Sequence, residues 1–520
     1  MLTNERAMSR SSNVLLIAIF IIGLTVISRA DVVIDWNVIA TNAASVAGKN
    51  PVEQSRIYAM THAAIHDALN AIDRRNKPYA LDRRAEPPAL PEAAVAAAAH
   101  DVLIALLPTQ QANLDAAYAT SLASLADGPA KTRGSAIGQA AAAAILALRS
   151  ADSSNTIVTY TPGTGPGAYQ LTPPNFIPAI LPGWGNVTPF TLKSGAQFRP
   201  DPPELFDLTS AEYAADYNEV KTIGALNSAT RTAEQSEIAR FWYEGSPNGW
   251  NRIARVVAAQ QGLDLWQNAR LFGLLNFTMA DGFIAGFEAK YFYNFWRPIT
   301  AIRAGAADGN PATNADPAWS AFLVTPASPD YPSTHSILGA AAAEVLSRFF
   351  GTDTIRFSTT SGAPFSGIAR SYTSFSQAAQ ENADSRVYAG IHFRATCRDG
   401  LKLGRKVGRH TFLHSLRPVI DDFDVCLRDD HSGDVLRFSP LSGDYQFTLS
   451  GASEPILTGK AKVNRVGCTL TLHDARVSAT LIGCPFFGPP RSRVSIRLTP
   501  LGPEIVINDS NPANHTCTFR

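Results

Sequence analysis

Lys290-Tyr-Phe-Tyr-Asn-Phe-Trp-Arg297-Pro298 closes the longest helical pattern of the chain, which opens at Leu265 and runs through Trp296 until proline stops it. Seven residues make two helical turns, so Lys290 and Arg297 project from nearly one face. Two cations on an aromatic-flanked face suit a small, multiply charged oxyanion, with Arg as a planar fork and Lys as a point charge. A solvated basic face would look the same from this segment alone.

Working outward, helical spacing also covers Pro51 to Ser150, rich in alanine, and about Ser210 to Ser415. Between them, Thr161 to Pro203 holds ten prolines and six glycines, a density that no helix survives. A loop of that length inside a compact domain is usually functional or a linker. After Asp421 the texture changes to short alternating strands, such as Tyr445-Gln-Phe-Thr-Leu449 and Arg493-Val-Ser-Ile-Arg-Leu498. The expected fold is therefore mainly α: two packed helical layers over 31–420, followed by a small all-β, sandwich-like domain over 421–520.

The N-terminus carries Arg6 and Arg10, then an apolar run from Val14 to Ile27, then Ser28-Arg29-Ala30. A basic start, a short apolar core and small flanking residues read as a signal peptide over 1–30, and the run is short of the roughly 20 residues a membrane span needs. A secreted or periplasmic protein with no membrane span after cleavage is expected. Four of five cysteines (Cys426, Cys468, Cys484 and Cys517) lie in the last 95 residues, where an oxidising compartment would let them form two bridges of undetermined pairing. With 45 Lys+Arg against 44 Asp+Glu, the chain is no polybasic nucleic-acid binder.

Two further segments carry chemistry. Asp330-Tyr-Pro332-Ser333-Thr334-His335-Ser336 precedes a helical run from Ile337 to Phe350, so it reads as a helix start whose free N–H groups attract anions. His335 stands in that positive end, placed to exchange a proton with a bound oxyanion. Ser385-Arg386-Val-Tyr-Ala-Gly390-Ile-His392 offers another guanidinium and a histidine able to act as ligand or nucleophile. Three cationic side chains, a helix N-terminus and two histidines together suit a tetrahedral oxyanion that passes through a five-coordinate state.

These three segments, in this order and spacing, resemble the tripartite signature of the vanadium haloperoxidase and type 2 phosphatidic acid phosphatase superfamily. Tyr58-Ala-Met-Thr-His62-Ala-Ala-Ile-His66, Trp184-Gly185, Ile238-Ala-Arg-Phe-Trp242 and Phe295-Trp-Arg-Pro-Ile-Thr-Ala-Ile-Arg303 look like its bacterial haloperoxidase branch, over roughly 50–415. The resemblance implies a helical-bundle catalytic domain with vanadate as cofactor. Lys290, Arg297 and Arg386 would bind its oxygens, with Ser333 and the Thr334 N–H adding hydrogen bonds. His392 would be the axial ligand to vanadium and His335 the acid–base residue. Hydrogen peroxide, a halide and small organic acceptors would be its reaction partners. The same residues would serve an acid phosphatase that forms a phosphohistidine at His392, with phosphate as the substrate group.

Three departures from the pattern matter. Thr334 replaces the usual glycine, and its side chain is expected to narrow the site. Thr396 stands where an aspartate often supports the ligand histidine, which leaves Asp399 as the nearest acidic candidate. Ser328 occupies the position where an aromatic or a histidine bears on halide use, so chloride is not favoured over bromide or iodide. The pairs His62/His66 and His410/His414 have a spacing that can bind zinc or iron, without the HExxH glutamate.

Overall fold

The structure is a computed structural model that describes residues 31–418 and the backbone of seven strands between Leu427 and Asn508. The expected signal peptide at 1–30 and the cysteines Cys426, Cys468, Cys484 and Cys517 lie outside the described residues.

Helices α1 (Val32–Val46), α2 (Pro51–Ile72), α3 (Pro91–Leu106), α4 (Gln111–Ala123) and α5 (Pro129–Leu148) form the N-terminal group. After the proline-rich segment come α6 (Ala211–Ile223), α7 (Ala233–Phe241), α8 (Ser246–Gln261), α9 (Leu265–Tyr293) and the short α10 (Pro298–Arg303). The last group is α11 (Thr334–Phe350), α12 (Phe375–Tyr388) and α13 (Arg394–His414), with a hairpin of β1 (Phe357–Thr360) and β2 (Ala369–Tyr372) between α11 and α12. The expected helical class holds.

Local chemistry sets the helix ends. Asn50 and Glu53 close a capping box on α2, with Pro51 in the first turn, and Asp264 and Gln267 do the same for α9. Apolar residues occupy nearly every face of α9, and 21 of its 29 residues are buried, so it becomes the central helix of the bundle. It packs against α2 on one side and α11 and α13 on the other.

The α11–α13 contact is unusually close. Gly400, Gly404 and Gly408 form a stripe on α13, and a Cβ on each would stand 2.7, 2.1 and 2.5 Å from the carbonyl oxygens of Ser333, Ile337 and Ala341. Backbone therefore meets backbone, and the N-terminus of α11 is locked beside the start of α13.

The proline-rich segment is ordered by buried carboxylates rather than by regular structure. Asp281 on α9 accepts the N–H groups of Phe190, Thr191 and Leu192, and the Thr191 hydroxyl. Asp67 on α2 does the same for the α2–α3 connection, accepting from Tyr79, Ala80 and Leu81. Each collects backbone donors that a loop would otherwise leave unpaired.

In the tail, β3 (Leu427–Arg428), β4 (Val435–Leu441), β5 (Asp444–Leu449), β6 (Leu457–Asn464), β7 (Thr469–Val477), β8 (Arg493–Thr499) and β9 (Gly502–Asn508) pair antiparallel in sequence order. The alternation read from the sequence is thus matched by strands, which make one up-and-down sheet where a sandwich was expected. Among the described residues, no single helix is long and apolar enough to cross a membrane.

Candidate active site

Three chain reversals bring the sequence-derived residues together. Lys290 lies in the last turn of α9, which ends at Asn294 in the left-handed conformation (φ 53°). Asparagine tolerates that geometry, and the turn delivers Arg297 to the N-cap of α10, with Pro298 opening the helix. Ser333 caps α11, its Oγ accepting the Ser336 N–H at 3.4 Å. Arg386 lies in the last turn of α12, and Gly390 (φ 78°) then turns the chain toward His392. Only glycine fits there, because a Cβ would also stand 2.2 Å from the Gly224 carbonyl oxygen.

All three cationic side chains are buried, each about 1% exposed. The Lys290 Nζ donates to the carbonyls of Pro329 (2.7 Å) and Asp330 (2.9 Å), which leaves one of its three donors unclaimed. Arg297 is held on every side: Nε donates to the Ser328 carbonyl at 2.7 Å, one terminal nitrogen to Ser328 Oγ at 3.1 Å, and the other to the Ile391 carbonyl at 2.8 Å. That last nitrogen also lies 3.0 Å from His392 Nε2. Arg386 donates to the Trp242 carbonyl at 3.1 Å, while its buried Nε–H has no partner.

The histidine tautomers follow from their neighbours. Arginine can only donate, so His392 Nε2 must accept, and the ring proton of the neutral imidazole sits on Nδ1. Nδ1 is 2.7 Å from Asp330 Oδ1, the carboxylate oxygen beside it, and 3.3 Å from the Thr396 hydroxyl. His335 Nε2 is 3.1 Å from the Glu244 carbonyl, an acceptor only, so its proton is on Nε2 and its lone pair on Nδ1.

Burial, then the charges of Arg297, Lys290, Arg386 and His335, hold the His392 imidazolium far below the ordinary histidine range. Burial and then Arg386 do the same to His335. The Lys290 ammonium is pushed well down by burial and by Arg297, against the pull of Asp330, and burial lowers Arg386 to about 10. Burial raises Asp330 to about 7, held back chiefly by Arg297 and Lys290. Lys290 and Arg297 thus share the Asp330 carboxylate while Arg386 has no carboxylate partner among the described residues, and a buried charge without a partner is costly. That imbalance and the unclaimed Arg386 Nε–H fit a multiply charged tetrahedral oxyanion such as vanadate or phosphate.

Two sequence-based expectations are corrected. Asp399 does not support His392; it takes Tyr331, Arg398 and Lys402 instead, and the carboxylate at His392 is that of Asp330. The Thr334 methyl lodges over α9, where a Cβ on Gly286 would stand 2.9 Å from it, so a glycine lost from the motif is matched by one on the facing helix. The other histidine pairs are occupied by neighbours. His62 Nε2 accepts from Asn37, His66 meets Asp67 and Asn70, and His410 donates to the Thr191 carbonyl while its ring lies tilted against that of His414. Sequence reasoning missed the carbonyls of Trp242 and Glu244, which aim Arg386 and His335; backbone acceptors leave no residue-type signal.

Residues 270–420 match the family model for the second helical-bundle domain of VCPO. The chain is 28% identical over 203 residues to vanadium chloroperoxidase of Curvularia inaequalis, a match that takes in 32% of each chain, so it spans about a third of that relative's length. Among solved structures, that of the first bacterial vanadium-dependent iodoperoxidase superposes with a TM-score of 0.64 at 28% identity, covering 74% of this chain and 95% of the other. An apo-type bacterial vanadium-dependent chloroperoxidase shares the fold, with a TM-score of 0.58 at 18% identity over 69% of this chain and 92% of its own. With the ordered motifs gathered around one cationic site, these likenesses show that the chain is similar to vanadium haloperoxidases in fold and, over residues 270–420, in the sequence of their second helical-bundle domain.

Proposed function

We propose that the protein is an exported vanadate-dependent haloperoxidase that oxidises bromide or iodide with hydrogen peroxide. One halide, one peroxide and one proton would give hypohalous acid and water, with small organic molecules as acceptors. The observation that carries this reading is the buried set Lys290, Arg297 and Arg386 around a neutral His392 whose Nε2 bears the lone pair. Vanadate, when bound, would supply a Lewis acid of fixed oxidation state that polarises peroxide.

The chain's own residues would do the rest. Lys290, Arg297 and Arg386 would offer donors to the oxyanion and withdraw charge from it. Ser333 and the N–H of Thr334, at the positive end of α11, would add to that field. His392 Nε2 would hold the vanadium through its lone pair. His335 is neutral, so its Nδ1 can take a proton from peroxide and return it to the leaving oxygen.

Halide preference is supported by Ser328, whose carbonyl and hydroxyl serve Arg297 and which places no aromatic ring there, and by the likeness to an iodoperoxidase. The N-terminal basic and apolar run supports export, and the strands of the tail support a separate β domain over 421–520. The test is to titrate vanadate into one preparation under two assays. Vanadate-dependent oxidation of bromide or iodide, suppressed by phosphate, is the expected result. Hydrolysis of a chromogenic phosphate ester that vanadate inhibits, without any vanadate-dependent oxidation, would establish the acid phosphatase reading instead.

A further inference from the structure

The position four residues after His392 carries no carboxylate, and the structure shows what stands there. Thr396 donates its hydroxyl to the Phe393 carbonyl at 2.9 Å and lies 3.3 Å from His392 Nδ1. The nitrogen's nearer partner comes from another element, the segment before α11, as Asp330 Oδ1 at 2.7 Å. Asp330 is fully buried, and its place is fixed on several sides. Its N–H donates to the Phe295 carbonyl at 2.8 Å, its own carbonyl accepts from Lys290 at 2.9 Å, and Oδ1 also lies 3.4 Å from Arg297. One residue therefore touches Lys290, Arg297 and His392, three of the groups that would hold the oxyanion.

We propose that Asp330 is the positioning residue of the site, a carboxylate supplied from the α11 approach that holds the His392 proton on Nδ1 and so keeps the Nε2 lone pair directed at the oxyanion. A ring nitrogen facing a fixed acceptor has one tautomer and one orientation, and its opposite nitrogen gains basicity. The Thr396 hydroxyl, committed as a donor to the Phe393 carbonyl, is a neutral acceptor at the longer 3.3 Å, so the carboxylate at 2.7 Å is the nearer and stronger influence on Nδ1. The carboxylate comes from the segment that precedes the acid–base residue rather than from the helix that follows the histidine, and there it couples both motifs.

This inference rests on the proposed oxyanion role of His392, but its first readout does not. The full chain labelled with 15N-histidine, free of vanadate, should show His392 as the Nδ1–H tautomer, assigned by its loss in His392→Gln. Asp330→Ala should raise the Nε2–H form and weaken vanadate binding, measured by calorimetry, by about 10–100-fold. Adding Thr396→Asp to Asp330→Ala should restore both the tautomer and most of the affinity. A wild-type Nε2–H tautomer overturns the proposal even if Asp330→Ala fails to fold. So does Asp330→Ala with unchanged tautomer and affinity. Wild-type protein that shows the Nδ1–H tautomer but binds no vanadate would refute the haloperoxidase reading and leave the role of Asp330 at His392 upheld.

Discussion

Replacing Gly404 by alanine tests whether the two site histidines are held by backbone contact. The new Cβ would stand 2.1 Å from the Ile337 carbonyl oxygen, 2.9 Å from its carbonyl carbon and 2.9 Å from the Ala340 Cβ. Relief requires α13 to retreat from α11 by roughly 1 Å, because neither partner is a flexible side-chain end. Alanine gains about 1 kcal/mol over glycine in helix propensity, while overpacking costs about 1–3 kcal/mol and, against backbone, falls at the upper end. The net result is a loss of about 2 kcal/mol, opposite in sign to the propensity effect. Ile337 is in the first turn of α11, so the same retreat separates His335 from the His392 side of the site. A displacement near 1 Å can cost on the order of 100-fold in a positioned reaction. Urea unfolding followed by circular dichroism, with vanadate titration alongside, measures both. A variant as stable as the parent, or more so, with unchanged vanadate affinity would refute the close contact and the argument built on it.

Other outcomes follow from the site and the core. Lys290→Ala and Arg386→Ala should abolish measurable vanadate binding, whereas His335→Ala should keep binding and lose about 100-fold or more in halide oxidation, which dialysis and steady-state assays separate. Gly286→Ala should destabilise by crowding the Thr334 methyl, and Thr334→Gly in the same chain should recover about 1 kcal/mol of coupling in a double-mutant cycle. Buried His62 is held down to about 3, chiefly by burial. The unfolded chain then binds a proton that the folded one refuses, so this contribution is intact above the unfolded value near 6.5 and is lost as pH falls from there toward 3. The slope is about 1.4 kcal/mol per pH unit for this one group, and His62→Gln, if folded, should remove it from the stability–pH curve.

What could be read in the sequence was what short spacing encodes. Ser333 announces the start of α11, and Lys290 and Arg297 were paired by their spacing; the expected helix through Trp296 in fact ends at Tyr293, and the Asn294 turn rather than helical period delivers Arg297. The helical class followed from apolar periodicity, and the break at Thr161–Pro203 followed from proline. What could not be read depends on contacts between distant segments. Asp330 was visible as the first residue of the second motif, yet its service to His392 exists only once α11 and α13 are packed. The carbonyls of Trp242, Glu244, Pro329 and Ile391 orient four site residues, and any residue type would supply them. The stripe Gly400, Gly404 and Gly408 had a legible four-residue spacing, but glycine in a helix signals flexibility as readily as close packing. The order of the loop at Phe190–Leu192 came from one aspartate on α9, which in sequence is merely a polar residue in an apolar helix.

The Arg297 contact with His392 bears on the kinetics of loading. The nitrogen that would meet the oxyanion's central atom already accepts an N–H at 3.0 Å from a guanidinium that is itself tied to Ser328 and Ile391. An arriving oxyanion must take over that donor before Nε2 can approach the central atom, so uptake is an exchange of partners. Electrostatic attraction would hasten the encounter, and added salt would slow it. The exchange within the site would be insensitive to salt, and it would set a ceiling on the observed rate as the oxyanion concentration rises. Release would run the same exchange backward, with Arg297 ready to reclaim the nitrogen.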